Sequence, residues 1–493
     1  MSISSAPNNA VSGLTANARL ASVTAGNLAN ALTPGYGRQA VDLSAATVGE
    51  TGAGVRAAPP TRTLDPDLTA ARRTADADLA EQSLVFDALG RLERSLGTID
   101  DASSLVNRIG NAESTLRQMA ETPEVPARQQ AAAQAASDLA ERFNLISTET
   151  VRLRETTDSE INRRVEQVND ALGRIANLNR QIQVLSATGR STANLIDERE
   201  RLIDTVAQNV PIRVSPGRND TVEIRTLEGL TLANTSATQI EFTRTPTFEP
   251  GLGYAANTPI PGGLILQGLD VTPGGPGAQQ IRTGALAGLF EVRDRIAPEL
   301  ERRLDSLAAD AITRLADPAV DPTLAPGDAG LFTDRGSAFD PADSVGIAGR
   351  IALNAAVDPR AGGDPARLRD GLQATQPRAS ADASIPQALR DAFARLGDAS
   401  TAPATPGVSG QYSLQGRTIA VIELLATERV GAEAQVSALS ATREALATEE
   451  SDTLGVDQDA ELQRLIEIEQ AYAANAQVIQ TAARMLDELT RIR

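Results

Sequence analysis

This chain of 493 residues has no cysteine, no histidine and no tryptophan, and aromatics make up only 2% of it. It has no lysine either, so all 46 basic residues are arginine. Each absence removes a class of chemistry. Without cysteine there are no disulfides, thiolate nucleophiles or cysteine-based zinc sites. Without histidine the commonest general base and the commonest metal ligand are gone. Ser-His-Asp, Cys-His and Ser-Lys catalysis are therefore excluded, leaving carboxylate pairs, tyrosine, arginine and hydroxyl residues. Scarce aromatics also disfavour an aromatic-lined ligand pocket. The 41% apolar content, rich in alanine and leucine, suits closely packed helices instead.

No apolar run approaches the roughly 18 residues of a membrane span. The opening "MSISSAPNNAVSGL" has no basic stretch and no apolar core, and the first arginine is Arg19. No cleaved secretory signal is expected, which leaves cytoplasmic residence or export by another route. The net charge of −18 disfavours nucleic-acid binding and favours solubility and repulsion between free copies. The clusters "EINRRVEQ" and "IDERERLID" read as solvated helix faces with i,i+4 pairs. Paired carboxylates can cleave glycans, but no aromatic-rich, cleft-forming segment accompanies them. "PGGPGAQQ" lacks the lysine and helix start of a phosphate loop. No catalytic residue, metal site or cofactor is expected.

What the chain does have is period. Val11, Leu14, Ala18, Ala21, Ala25, Leu28 and Leu32 are spaced 3 and 4 in alternation, an apolar seam of about three heptads. "TPGY" ends that helix, because Pro34 disfavours helical geometry at Thr33 and Pro-Gly is the central pair of a type II turn. Gly35 would supply the positive φ. A Gly-punctuated linker around residues 49–60 follows, then helices from about Pro66 to Gly97, Asp101 to Glu121, Pro126 to Ser186 and 194–208. The third of these carries its own seam, and a helix of that length is expected to be interrupted. Alternation in "TVEIRT" beside "PGRND" predicts a hairpin within a β-rich stretch, 210–283. Helix resumes near Thr283, residues 317–411 are loop-rich, and a long helix runs from Gln411 to about Glu450. The last segment has neither proline nor glycine, and Leu465, Ile468, Tyr472, Asn475, Ile479, Ala482, Leu486 and Leu489 repeat the same spacing. A buried asparagine at a seam position costs stability and fixes register. Two heptad helices at opposite ends pair most simply with each other.

"NLANALTPGYGRQ" resembles the N-terminal motif of bacterial flagellar axial proteins, the rod, hook and hook-associated subunits. Asn27, Asn30, Thr33, Pro34, Gly35, Tyr36 and Arg38 carry the likeness. "LIEIEQAYAANAQVIQTAARMLDELTRIR" is similar to the closing helix of the same families. The helical run "VNDALGRIANLNRQI" followed by "NLIDERERLIDTVAQNVPIRV" resembles the hook-associated family of the hook–filament junction, the first of its two kinds of subunit.

The resemblance implies a mainly α fold with a small β-rich insertion. It implies an elongated multi-domain chain with N- and C-terminal helices paired as a coiled coil, and a central helical bundle. The expected boundaries are 1–45 and 453–493 for the terminal coiled-coil domain, 46–209 and 284–452 for the helical domain, and 210–283 for the insertion. The implied role is structural and extracellular, at the junction of hook and filament, with export through the flagellar apparatus and no cleaved signal. The implied partners are the hook protein, the second junction protein, neighbouring copies in a ring and an export chaperone on the C-terminal helix. A hook or distal-rod subunit is the alternative, and a secreted coiled-coil adhesin or peptidoglycan-acting enzyme a more distant one. The seam flank Ile466, Ala473, Val478 and Met485 is expected to face neighbouring subunits.

Overall fold

The structure, a computed structural model, describes residues 5–33, 36–48, 51–98, 100–253, 261–400 and 404–491. Helix α1 spans Ser5–Asn30; short strands β1 (Gln39–Ala40), β2 (Leu43–Val48), β3 (Thr51–Ala57) and β4 (Thr61–Arg62) follow. Then come α2 (Pro66–Leu96), α3 (Leu105–Glu121), α4 (Pro126–Ala187) and α5 (Ala193–Asn209). Strands β5 (Ile212–Pro216), β6 (Val222–Thr226), β7 (Thr231–Ala233), β8 (Ile240–Phe242), β9 (Leu264–Leu266) and β10 (Leu269–Asp270) form two three-stranded antiparallel sheets, ordered β5-β6-β7 and β10-β9-β8. Helix α6 (Ala285–Glu291) runs through a π-helical turn, Val292–Ile296, into α7 (Ala297–Leu315). After β11 (Phe332–Asp334), β12 (Ile351–Leu353), α8 (Arg367–Asp370), α9 (Ser384–Ala394), β13 (Gly397–Asp398) and β14 (Gln411–Tyr412), two long helices close the chain, α10 (Leu414–Leu454) and α11 (Gln458–Arg491).

Two cores organise the middle. The larger joins α2, α3, the first half of α4, α7, α9 and α10, and it takes in buried side chains from 320–408 such as Phe332, Val357 and Leu372. The loop-rich segment is thus part of the helical body. The smaller core packs the sheets of the insertion on the second half of α4, on α5 and on α6. At the predicted β5–β6 hairpin, Asn219 and Asp220 take positive φ, which short Asx side chains tolerate. Helix α4 is a connecting rod shared by both cores. It is unbroken over 62 residues, where an interruption was expected. At 1.5 Å per residue it is about 93 Å long. Pro126 sits at its start, where a missing N–H costs nothing, and no proline follows within it.

The termini pair as expected: α1 packs along α11. The stripe used on α1 differs from the predicted one. Ala10, Asn17, Thr24 and Asn27 are buried, and Gly13 lies directly under Asn475 of α11. These positions stand one residue before the predicted seam, a rotation of about 100°. Val11 is 52% and Leu32 89% exposed, Ala18 and Ala25 are exposed, and Leu14, Ala21 and Leu28 are half-buried. Small and polar residues occupy the true interface, so apolar lettering pointed to the adjacent column. On α11, Ile468 and Ala482 are buried, and Leu465, Asn475 and Ile479 half-buried, but Tyr472 is 48% exposed. The side chains of Leu486 and Leu489 lie outside the described residues.

The expected linker is a second correction. β2 and β3 pair from Leu43↔Ala57 to Val48↔Thr51, and the hairpin lies on another face of α1. There the Val55 N–H donates to Ser12 Oγ at 3.1 Å, and Arg19 Nη1 donates to the Ala57 carbonyl at 3.2 Å. Glycines in β3 mimic a linker in the sequence, yet they serve a strand that crosses a helix closely.

Candidate assembly site at the exit from the terminal helices

Where α1 ends, the chain must turn outward without leaving backbone groups unpaired. Asn27, buried on the last turn of α1, does most of this. Its Nδ2 donates to the Gln39 carbonyl at 2.9 Å, while its Oδ1 accepts the Gln39 N–H at 3.0 Å and the Tyr36 hydroxyl at 2.9 Å. One side-chain amide thus pairs with Gln39 as a neighbouring strand would, and β1 begins there. Asn30 Nδ2 donates back to the Gly26 carbonyl at 2.9 Å, and the Thr33 N–H closes on the Asn30 carbonyl at 2.8 Å. The Tyr36 N–H reaches the Thr33 carbonyl at 3.1 Å, so the turn is bonded on both sides. Pro34 and Gly35, with the positive φ expected of Gly35, lie outside the described residues.

Past the turn, the strand is held by two carboxylates from distant parts of the chain. Arg38 Nε donates to Glu461 Oε1 of α11 at 2.8 Å, and the Arg38 N–H donates to the Leu454 carbonyl at the end of α10 at 3.2 Å. The Glu461 side chain is only 1% exposed. From α5, Asp197 Oδ1 accepts the Gly37 N–H at 3.4 Å and pairs with Arg62 Nε at 2.8 Å. Burial pushes the Asp197 carboxyl above its ordinary range, and Arg62 pulls against that. Burial also raises the Tyr36 phenol, helped by the negative Asp197 and Glu461 nearby. Both carboxylates therefore face the same small volume around residues 36–38.

Gly37 is required there by space. It is buried, and a Cβ on it would stand 2.0 Å from Arg62 Nε. A side chain would displace the arginine that compensates Asp197.

A second tie lies one step outward. Arg72 on α2 pairs with Asp204 of α5 at 2.8 Å and also with Glu450 of α10, and Arg73 pairs with Glu200 and Asp204 at 2.8 and 2.7 Å. Thr69 Oγ1 donates to Glu450 Oε1 at 2.7 Å, and Arg443 pairs with Asp76 at 2.9 Å. The start of α2, the end of α10 and α5 are thereby clamped together just beyond the terminal pair.

The structure thus brings Asn27, Asn30, Thr33, Tyr36 and Arg38 into one bonded exit. Sequence reasoning missed Gly37, Gln39, Arg62, Asp197 and Glu461. Glu461 stands four residues before Leu465, so extending the 3–4 spacing by one step reaches it. Asp197 carries no such signal.

Among the described residues, no cluster of three or more acidic, histidine or cysteine side chains is placed to hold a metal ion. No helix among them is long and apolar enough to cross a membrane.

Residues 89–317 match the family described as the flagellar hook-associated protein FlgK helical domain, and residues 453–492 match the flagellar basal body rod FlgEFG protein C-terminal family. The chain is 24% identical to flagellar hook-associated protein 1 of Escherichia coli, over the whole of both chains. It is 29% identical to flagellar hook-associated protein 1 of Bacillus subtilis over 230 residues, which spans 44% of this chain and about half, 45%, of that relative. A solved structure, the flagellar hook junction protein FlgK from Burkholderia pseudomallei, superposes with a TM-score of 0.43 at 20% identity over 55% of this chain and 46% of that one.

Proposed function

We propose that this chain is a member of the flagellar hook-associated protein family, a structural subunit of the bacterial flagellum at the junction of hook and filament that works by helix packing without catalysis. The observation that carries this reading is the terminal pair. α1 and α11 form one two-helix unit, fixed to the body through Arg38–Glu461 and Arg62–Asp197, yet its outer faces remain apolar. On α11, Ile466, Val478 and Met485 are 45–56% exposed, with Ala473 between them. On α1 the predicted seam column Val11, Ala18, Ala25 and Leu32 is exposed as well. A lone two-helix unit with apolar flanks is poorly satisfied in water. Packing against the same unit of neighbouring subunits would cover these flanks.

In this reading the partners are the hook protein on one side, the second junction protein on the other, and neighbouring copies in a ring. Before export, a chaperone would cover the C-terminal helix. The site is outside the cell, reached without a cleaved signal. A hook or distal-rod subunit shares the C-terminal helix, but the long helical body at 89–317 favours the hook-associated role.

Deleting Leu465–Arg493 tests the reading. The middle should keep its cooperative unfolding, while incorporation into flagella and swimming are lost. Normal motility from the truncated chain would refute it. A strain lacking the protein should carry bare hooks and shed filament protein into the medium.

A further inference from the structure

Between the C-terminal half of α2 and the middle of α4 runs a cleft of about 520 Å³ that no contact of the exit or the terminal pair uses. Its floor is apolar, made by Leu92, Ile146 and Leu153. Its rim carries Arg91, Arg94, Arg142 and Arg152, against one carboxylate, Glu149. Glu149 is already engaged with Arg152 at 2.7 Å. Arg91 and Arg94 are exposed, one helical turn apart, and make no ion pair among the described residues. Arg142 spends Nη2 on the Ser95 carbonyl at 2.6 Å, while its buried Nε has no partner. Leu145 projects at the rim, 49% exposed.

Such a cluster is out of place by charge. A chain of net −18 would be expected to neutralise its arginines locally, as it does at Arg72, Arg73 and Arg303. Here, with Glu149 on Arg152 and the exposed Asp101 beside Arg142, Arg91 and Arg94 stay as two positive charges in excess beside an apolar floor. An apolar groove with a cationic rim fits an amphipathic helix with carboxylates on its flanks. The chain itself supplies that chemistry: α10 exposes Ala438, Ala441 and Ala445 on one face that continues into Glu449 and Asp452, and neither carboxylate is ion-paired among the described residues. Copies this acidic repel one another unless opposite charges are set face to face.

We propose that the arginine-rimmed cleft between α2 and α4 is a docking surface for a carboxylate-bearing helical face of a neighbouring copy of this chain. The proposal rests on the assembly reading above and adds to it a specific lateral contact, made by the helical body and separate from the terminal helices.

The absence of cysteine makes the test clean. Leu145→Cys replaces the native copy in a flagellated host, and isolated flagella are labelled with a maleimide photo-cross-linker and irradiated. The expected product runs at twice the 51.6 kDa of the chain. Combining the label with R91E/R94E/R152E should lower its yield at least tenfold, and the milder R91Q/R94Q should lower it severalfold if the triple variant fails to incorporate. Labelled protein present in flagella but giving no adduct, an adduct to a different protein, or a yield unchanged by R91Q/R94Q would overturn the proposal while leaving the assembly reading intact. Absence of the Leu145→Cys protein from flagella, with its fold intact by circular dichroism, would instead count against the assembly reading, and the proposal would fall with it.

Discussion

Asn475 of α11 fills a notch in α1: a Cβ added to Gly13 would stand 2.8 Å from Asn475 Nδ2 and 2.9 Å from its Oδ1. The amide is held by its own helix, donating to the Ala471 carbonyl at 3.0 Å. A glycine facing an asparagine defines one register, because sliding either helix by a turn sets a larger residue in the notch or leaves it empty. Gly13→Ala sets two effects against each other. Alanine favours helix by about 1 kcal/mol over glycine, while overpacking costs about 1–3 kcal/mol. The single variant should therefore be neutral to destabilising. With Asn475→Ala added, the clash is gone and Gly13→Ala should gain close to the full 1 kcal/mol. Hydrogen exchange of α1 and α11 amides in the four proteins of the cycle reads this directly, and additivity of the two substitutions would argue against the notch.

Arg38 and Glu461 are unequal partners, the arginine being 32% and the glutamate 1% exposed. Removing the arginine strands a buried carboxylate, whereas neutralising the glutamate leaves an arginine that can turn to water. Arg38→Ala should therefore cost about 1–3 kcal/mol, and Glu461→Gln less. Glu461→Gln placed on top of Arg38→Ala should restore part of the loss. Protection of α11 and swimming speed should fall in the same order.

Gly37→Ala should act through Arg62. The new methyl group displaces the guanidinium from Asp197, and the buried carboxylate then loses its counter-charge. A loss of about 1–3 kcal/mol is expected, relieved in part by Asp197→Asn. Urea unfolding of the three proteins tests the order.

Two carboxylates in the helical body titrate near neutrality. Burial drives Glu81 on α2 to about 7, aided by Asp78 and Glu291 and opposed by the Gly284 N–H. Burial drives Asp305 on α7 to about 7 despite N–H donors from Ala348 and Gly346. Both values lie above those of the unfolded chain. Their stabilising contribution is complete below about pH 4 and is lost as pH rises through 7. Groups held low, such as Asp370 and Asp382, act in the opposite sense but only in acid, below the ordinary carboxylate range. Between pH 5 and 8 the protein should therefore become easier to unfold. Glu81→Gln keeps an acceptor for Gly284 and should flatten that slope by about 1–2 kcal/mol once partial exposure is discounted. A melting temperature series over this range measures it.

Elements whose pattern is set locally were legible in the sequence. Both terminal helices, the Pro66 start of α2 behind its Asp65 cap and the β5–β6 hairpin each follow from spacing or capping residues within a few positions. The face of α1 was not legible, because its partner is 450 residues away and rewards small and polar side chains. Nothing in the sequence marks Gly13 as a contact, and only Asn475 above it shows its role. Asn27 belongs to a recognisable motif, but its role, pairing both backbone groups of Gln39, appears only once β1 is in place. Asp197 sits within an acidic run that reads as solvated, and only Arg62 and Gly37 reveal it as buried.

The deepest charges lie where the two central cores meet, and they make the strongest stability prediction. Arg154 of α4 is fully buried. Its Nε donates to the Arg293 carbonyl at 3.1 Å, in the π-helical turn, its Nη2 to the Leu252 carbonyl at 2.6 Å, and its Nη1 pairs with Glu301 at 3.3 Å. Arg293 in turn pairs with Asp158 at 2.7 Å and donates to the Gly262 carbonyl at 2.9 Å. The guanidinium planes lie over Phe248 and Phe290, at 4.6 and 4.5 Å from the ring centroids. Two arginines thus tie loop backbone of the insertion to both α4 and the α6–α7 helix. Arg154→Met removes three donors, one of them to the buried Glu301, and breaks a buried ion pair from one side, a loss of about 3–5 kcal/mol. Adding Glu301→Leu exchanges the whole pair for apolar side chains and should recover part of it, because such an exchange of a buried pair is often neutral. The two carbonyls stay unpaired in the double variant, so amides around residues 246–253 should still exchange faster than in the parent protein, while those of α3 and α9 return to parental protection. Equal exchange across both regions would mean that the arginine serves the general core rather than the junction between insertion and body.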